Sequence, residues 1–268
     1  MPLLNQPDGA EIHFEETGHG PRVLIANVFH GHPAMLGELA RDLSRDHQVI
    51  SYDLRGTGHS SRSGPYDPAV DIADLEALLE HVHGVSVAVA IGDASLRAVR
   101  MAAARPDLLD AVVAPGTFVL AAATVRGSDA LSASRSVLKG LVTLLETDYR
   151  AGIRTMVESA NPNLSEDEIR ERAQRVVLHC PREAAVSRLR TWIRDDATDA
   201  ARALGDRLWI LNYPGNPWFP AELAERMPEV LPSARHEAVA DGPMSRPELT
   251  AGVVRQITRA PTRLSNAP

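Results

Sequence analysis

Short apolar runs alternate along the chain with longer stretches in which apolar residues recur every three to four positions. VLIAN (residues 23–27) and QVISY (48–52) are continuous and rich in β-branched residues, the pattern of strands buried on both faces. Between them AMLGELARDLSR (34–45) places Met35, Leu36, Leu39 and Leu43 on one side of a helix. DIADLEALLEHV (71–82) repeats that spacing with Ile72, Leu75, Leu78 and Leu79. SVAVAI (86–91) predicts a central strand, GDASLRAVRMAAARP a turn and a helix ending at Pro106, and DAVVA (110–114) a further strand. The alternation resumes as LWILN (208–212), a helix from Pro220, RHEAV (235–239) and PELTAGVVRQI (247–257). These elements predict an α/β fold, a doubly wound and mostly parallel sheet covered by helices on both faces.

Residues 117–205 read differently, as successive helical patterns without strands, and are expected to form a helical cap between core segments 1–116 and 206–268. Within the cap, Ser165 followed three residues later by Glu168 predicts a capping box at a helix start.

Composition narrows the function classes. The chain has 268 residues, 44% hydrophobic and 24% charged, enough for one large core with an insertion. Its most apolar stretch, LLDAVVAPGTFVLAAATV from Leu108, is interrupted by Asp110, Pro115 and Gly116, so no membrane span is expected. The first residues lack a basic region followed by an apolar one, which makes the cytoplasm the expected location. Net charge is −7, from 28 basic against 35 acidic residues without a dense basic block, and nucleic acid is not an expected partner. Cys180 is the sole cysteine and Lys139 the sole lysine, which excludes an internal disulfide, a cysteine zinc site and a P-loop. His30 and His32 form an H-x-H pair without a spaced third ligand. Neither a metal nor a cofactor is expected.

The segment YDLRGTGHS (52–60) resembles the tight Asp-x-Arg-Gly-x-Gly-x-Ser loop that follows the fourth strand of α/β-hydrolases. With the early strand, the strand-turn-helix at Gly92, the helical insertion and the closing β/α units, the resemblance covers about residues 8 to 259. It implies an α/β-hydrolase fold with the cap inserted after the sixth strand, and a Ser-Asp-His triad. The implied nucleophile motif, Gly-x-Ser-x-Gly, aligns with Gly92-Asp93-Ala94-Ser95-Leu96, which puts Ala94 at the nucleophile position. A methyl group cannot attack a carbonyl. Ser95 falls one residue late, and Leu96 and Arg97 stand where small residues are implied. The acid position falls on Asn216, which has no carboxylate, and the base position on Pro243, which cannot shuttle a proton. His236, inside a predicted strand, reads as structural. The expectation is therefore a hydrolase-like outline lacking its triad.

Other groups could supply chemistry. ANVFHGH (26–32) lies where the resemblance places an oxyanion loop, with Asn27, His30 and His32 as polar candidates and the backbone N–H groups of Val28 and Ser95 as carbonyl donors. Asp93 has two readings, a helix N-cap or an acid/base that orients His30. Tyr213, Trp218 and Phe219 flank Asn216, and with Phe29 and Phe118 they suggest an aromatic pocket beneath the cap. His30, Asp93 and the Ser95 backbone N–H are the catalytic candidates. Asn27, Val28, Phe29, Tyr213 and Trp218 are those for the oxyanion site or pocket.

Three functions follow. The first is an enzyme acting on a small hydrophobic acyl or aromatic carbonyl substrate, free or presented by a carrier, by acyl transfer, cyclisation or elimination without an acyl-enzyme. The second is an inactive ligand-binding or scaffold protein. The third is a weak hydrolase using Ser95 or Cys180.

Overall fold

A computed structural model describes residues 2–116, 129–161, 163–214 and 221–259, with the backbone alone at 129–135, 221 and 223. Eight strands form one sheet: β1 (Leu3–Asn5), β2 (Glu11–Gly18), β3 (Arg22–Ala26), β4 (Gln48–Tyr52), β5 (Val85–Ala90), β6 (Leu109–Pro115), β7 (Leu208–Asn212) and β8 (Arg235–Ala238). Their order is β1-β2-β4-β3-β5-β6-β7-β8; the β1–β2 and β2–β4 pairs are antiparallel and the five pairs from β4–β3 to β7–β8 are parallel. The alternating, doubly wound expectation holds for β3 to β8. The two antiparallel strands at the edge have no counterpart in the sequence reading, because β2 does not alternate cleanly: Ile12, His13 and Phe14 are all buried.

Each central strand feeds two cores. On one face Val23, Ile25, Val49, Val87 and Val89 meet Leu36 in the turn before α1 (Gly37–Leu43), Leu39 and Leu43 of α1, and Ala251 and Val254 of α10 (Pro247–Arg259). On the other, Leu24, Ala26, Ile50, Ala88 and Ala90 pack toward α2 (Pro68–His81) and α3 (Ala94–Ala104). This second core continues without a break into the insertion through Leu138, Leu145, Ile153, Val176 and Leu189. Burial on both faces is why these strands read as uninterrupted apolar runs.

The insertion contributes α4 (Asp129–Thr147), α5 (Tyr149–Ala160), α6 (Glu166–His179) and α7 (Arg182–Trp192), followed by α8 (Thr198–Leu204). Helices α4, α5 and α6 pack consecutively and α7 returns onto α4, whereas α8 packs on α3 of the sheet layer. The expected capping box is present: the Ser165 side chain accepts from the Glu168 N–H, and the Glu168 carboxylate accepts from the Ser165 N–H at 2.9 Å. α9 (Ala221–Val230) separates β7 from β8. Strand β3 has β4 on one side and β5 on the other, so the crossover direction reverses there. The loops leaving β3 and β5 therefore flank a crevice at the carboxyl edge of the sheet.

Candidate active site

The bend after β5 turns at Gly92, two residues before the position the sequence alignment favoured. Gly92 has φ +57°, and it is the residue between β5 and α3 in the left-handed region, while Ala94 already opens α3. A nucleophile in this fold sits on such a strained bend, so the geometric tip is a residue with no side chain. Ala90 and Ala94, both buried, stand two residues to either side and let strand and helix close around it. The Ala-x-Gly-x-Ala spacing of residues 90–94 is the signal in the sequence for this register, in which Gly92 is the centre of the motif and not its first glycine. A Cβ built on Gly92 would lie 3.2 Å from Cβ and Cγ2 of Val28, across the crevice.

Asp93, just beyond the tip, is buried and makes no side-chain cap to α3. Its Oδ1 accepts the backbone N–H of Phe29 at 2.8 Å, and its Oδ2 is ion-paired with Arg97 one turn along the helix. Asp93 thus holds the N-cap position of α3 without capping it through its side chain; the carboxylate ties the β3 loop to α3 and is not among the groups lining the cavity over Gly92. Arg97, expected to crowd the bend, turns away from it. It lies 3.9 Å from Asp71, and Asp71 is held by Arg188 of α7 through bonds of 2.7 and 2.8 Å. Phe29, proposed for the pocket, is 1% exposed and belongs to the core. Its carbonyl faces the Cys180 Sγ at 3.6 Å, so core and cap grip the same residue. Asn27 also departs from expectation: it packs against Gly31, and its Oδ1 is buried without a partner.

A cavity of about 100 Å³ opens above Gly92. Val28, Ile91, Gly92, Pro115 and Gly116 form its floor; Leu138, Leu141, Met156 and Trp192 of the cap form its roof; Tyr213, Pro243 and Met244 close one side. His30 also lines it and is partly buried, with its Nδ1 lacking a hydrogen-bond partner. Desolvation, and secondarily the nearby His179, lower its pKa to about 4, so the imidazole is neutral at physiological pH. The Tyr213 phenol is pushed up to about 12 by desolvation and by Asp241, which leaves it a hydrogen-bond donor. His32 does not line this cavity; its Nδ1 accepts the Ala34 N–H at 3.1 Å.

Several other candidates are spent on structure. The Ser95 N–H, expected as a carbonyl donor, bonds the Gly92 carbonyl at 3.2 Å, and its hydroxyl donates to the same oxygen at 2.6 Å. The side chain is fully buried, so Ser95 offers no accessible nucleophile. Cys180 is also fully buried, and desolvation pushes its thiol up to about 12, which removes the thiolate a nucleophile requires. His236 sits opposite the Leu231 carbonyl at 2.9 Å, the structural role expected of it. Pro243 is buried in the cavity wall. Asn216, Trp218, Phe219 and Phe118 lie outside the described residues.

The loop that carried the resemblance is a dense polar knot. Asp53 Oδ2 accepts the His59 N–H and meets His13 Nδ1, each at 3.0 Å. The Ser60 hydroxyl donates to the Asp53 carbonyl at 2.6 Å. Arg55 forms a two-bond pair with Asp74 at 2.8 and 2.9 Å. Gly58, at φ +50°, is required because a Cβ there would fall 2.2 Å from Asp53 Oδ2.

Residues 23–253 match the alpha/beta hydrolase family. Among solved structures, an enol-lactonase from Burkholderia xenovorans LB400 superposes with a TM-score of 0.71 at 18% identity, covering 96% of this chain and 100% of that one. A hydrolase from Oleispira antarctica gives 0.78 at 17% identity, over 92% of this chain and 94% of the other. Both likenesses concern the fold. A 90-residue stretch, 34% of this chain, is 32% identical to part of the polyketide synthase ThaQ of Burkholderia thailandensis, and spans 4% of that protein. Among the described residues no helix is long and apolar enough to cross a membrane.

Proposed function

Because this chain belongs to the alpha/beta hydrolase family, we propose that it binds a small hydrophobic acyl or aromatic carbonyl compound over Gly92 and acts on it without a serine acyl-enzyme. The observation that carries this reading is the pairing of a bend tip without a side chain with a neutral, desolvated histidine in the wall of the same apolar cavity. His30 Nδ1, unpartnered and uncharged, is suited to accept a proton from bound substrate, and the Tyr213 phenol to donate a hydrogen bond. Ala94 and Pro243 supply no nucleophile or base. Acyl transfer to a second substrate, cyclisation or elimination needs only positioning and proton transfer, which this arrangement can provide. The partial likeness to a polyketide synthase fits an acyl substrate of that general kind, delivered free or on a carrier.

A second reading has its own support. The Asp93 carboxylate occupies the Phe29 N–H, a donor of the β3 loop from which this fold draws its oxyanion hole. A cavity so deprived of a donor suits a protein that binds without turnover.

A fluorophosphonate probe is expected to leave the intact mass of the folded protein unchanged; a serine adduct overturns the proposal. In crystals soaked with an aryl alkyl ketone, the carbonyl or its α-carbon is expected within about 3–3.5 Å of His30, the reach of a near-attack geometry. Binding without product from any acyl or carbonyl substrate tried would favour the second reading.

A further inference from the structure

The cavity over Gly92 adjoins a second chamber of about 320 Å³, and His30, Met35, Met156, Ala160 and Met244 line both. The two differ in chemistry. The inner one is apolar apart from His30 and Tyr213, whereas Arg172, Arg175, His32 and Asn161 line the outer one. Arg172 and Arg175 are one helical step apart on α6, so both project onto the face that walls this chamber.

Three other cap arginines are closely paired with carboxylates, which Arg172 and Arg175 are not. Arg154, Arg170 and Arg190 meet carboxylates of Glu166, Asp167 and Glu146 at 2.6, 2.7 and 2.5 Å. Arg172 instead donates to a neutral oxygen, Asn161 Oδ1, at 3.1 Å. Arg175 reaches Glu171 at a looser 3.5 Å, on an exposed surface where such a pair holds weakly. Glu168, one turn before Arg172, is engaged by Ser165. The acidic residue in the chamber wall, Glu38, is paired with Arg41. His32 adds no opposing charge; its pKa is lowered first by desolvation and then by the field of Arg175. A chain of net charge −7 thus presents a locally positive wall beside an apolar cavity.

We propose that the ligand is an anionic amphiphile, with a carboxylate or phosphate head at Arg172 and Arg175 and an apolar chain passing His30 and Met156 into the lobe over Gly92. This rests on the reading of that lobe as a binding site. The arginines fix the end of the molecule, and the length of chain between head and reacting atom decides which carbon lies beside His30.

Calorimetry with octanoate, octyl phosphate and octanol on the full chain tests it. The anions are expected to bind at least tenfold more tightly than octanol, and the preference is expected to disappear in R172Q/R175Q while octanol affinity stays within twofold. The larger gain of octanoate or octyl phosphate identifies the head group. If the double variant does not fold, the wild-type salt dependence decides: anion affinity should fall between 50 and 300 mM salt and octanol affinity should not. Octanol binding as tightly as the anions, with no effect of charge removal or salt, overturns the head-group proposal and leaves the apolar site standing. Failure of all three to bind overturns both.

Discussion

The backbone N–H of Phe29 donates to the Asp93 carboxylate at 2.8 Å, joining the loop after β3 to the bend after β5 across the crevice of the sheet. The same carboxylate neutralises Arg97, and both side chains are buried. Asp93→Ala should therefore cost about 3–5 kcal/mol in urea unfolding, mostly from stranding the guanidinium. Asp93→Asn keeps an acceptor for Phe29 and should cost less. Equal losses for the two would show that the Phe29 bond contributes nothing of its own.

Gly92 supplies a left-handed backbone at a place where a side chain would meet Val28. Gly92→Ala should destabilise by about 1–3 kcal/mol, the usual cost of a non-glycine residue in such a conformation. Gly92→Ser adds a hydroxyl at the tip but no base at Pro243, so it should remain unreactive toward fluorophosphonates. Rapid labelling of that variant would mean that another group activates the serine.

Stability should depend on pH through His30. Its pKa is about 4 in the folded chain against 6.5 in the unfolded one, so below pH 6.5 the unfolded state binds the extra proton and folding weakens until about pH 4. The shift corresponds to about 3 kcal/mol. Between pH 7 and 4 the wild-type protein should lose about that much more stability than His30→Gln, measured by urea unfolding at each pH. Parallel curves would place His30 in contact with water. Any proton transfer by His30 should likewise persist well below pH 6.

Cys180 should not react in the native protein. With the thiol pushed up to about 12, the thiolate fraction at pH 8 is about one in ten thousand, and the sulfur is fully buried. A disulfide reagent should label it only after denaturation. Stoichiometric native labelling within minutes would reopen a cysteine mechanism.

Much of the framework was legible along the chain because it rests on local or periodic rules. The runs at 48–52 and 86–91, the apolar faces at Leu39 and Leu75, and the Ser165–Glu168 cap require only strand burial, helical spacing and a four-residue motif. The glycines of YDLRGTGHS marked the family because Asp53 leaves no room for a Cβ at position 58. Edge strands β1 and β2 were not legible, since burial of His13 depends on Asp53, forty residues away.

Residue types and their chemical limits were settled by the sequence: an alanine at 94, a proline at 243, one cysteine, and a histidine at 30. Only the tertiary structure decided which backbone position carries the left-handed bend, because φ at Gly92 reflects how β5 must turn into α3 beneath Val28. It likewise decided that Asp93 serves Phe29 and Arg97, and that of the catalytic candidates His30, Asp93 and Ser95 it is His30 that lines the cavity. A carboxylate's role depends on which distant donors surround it, and those are set by the packing of loops and helices far apart in the chain.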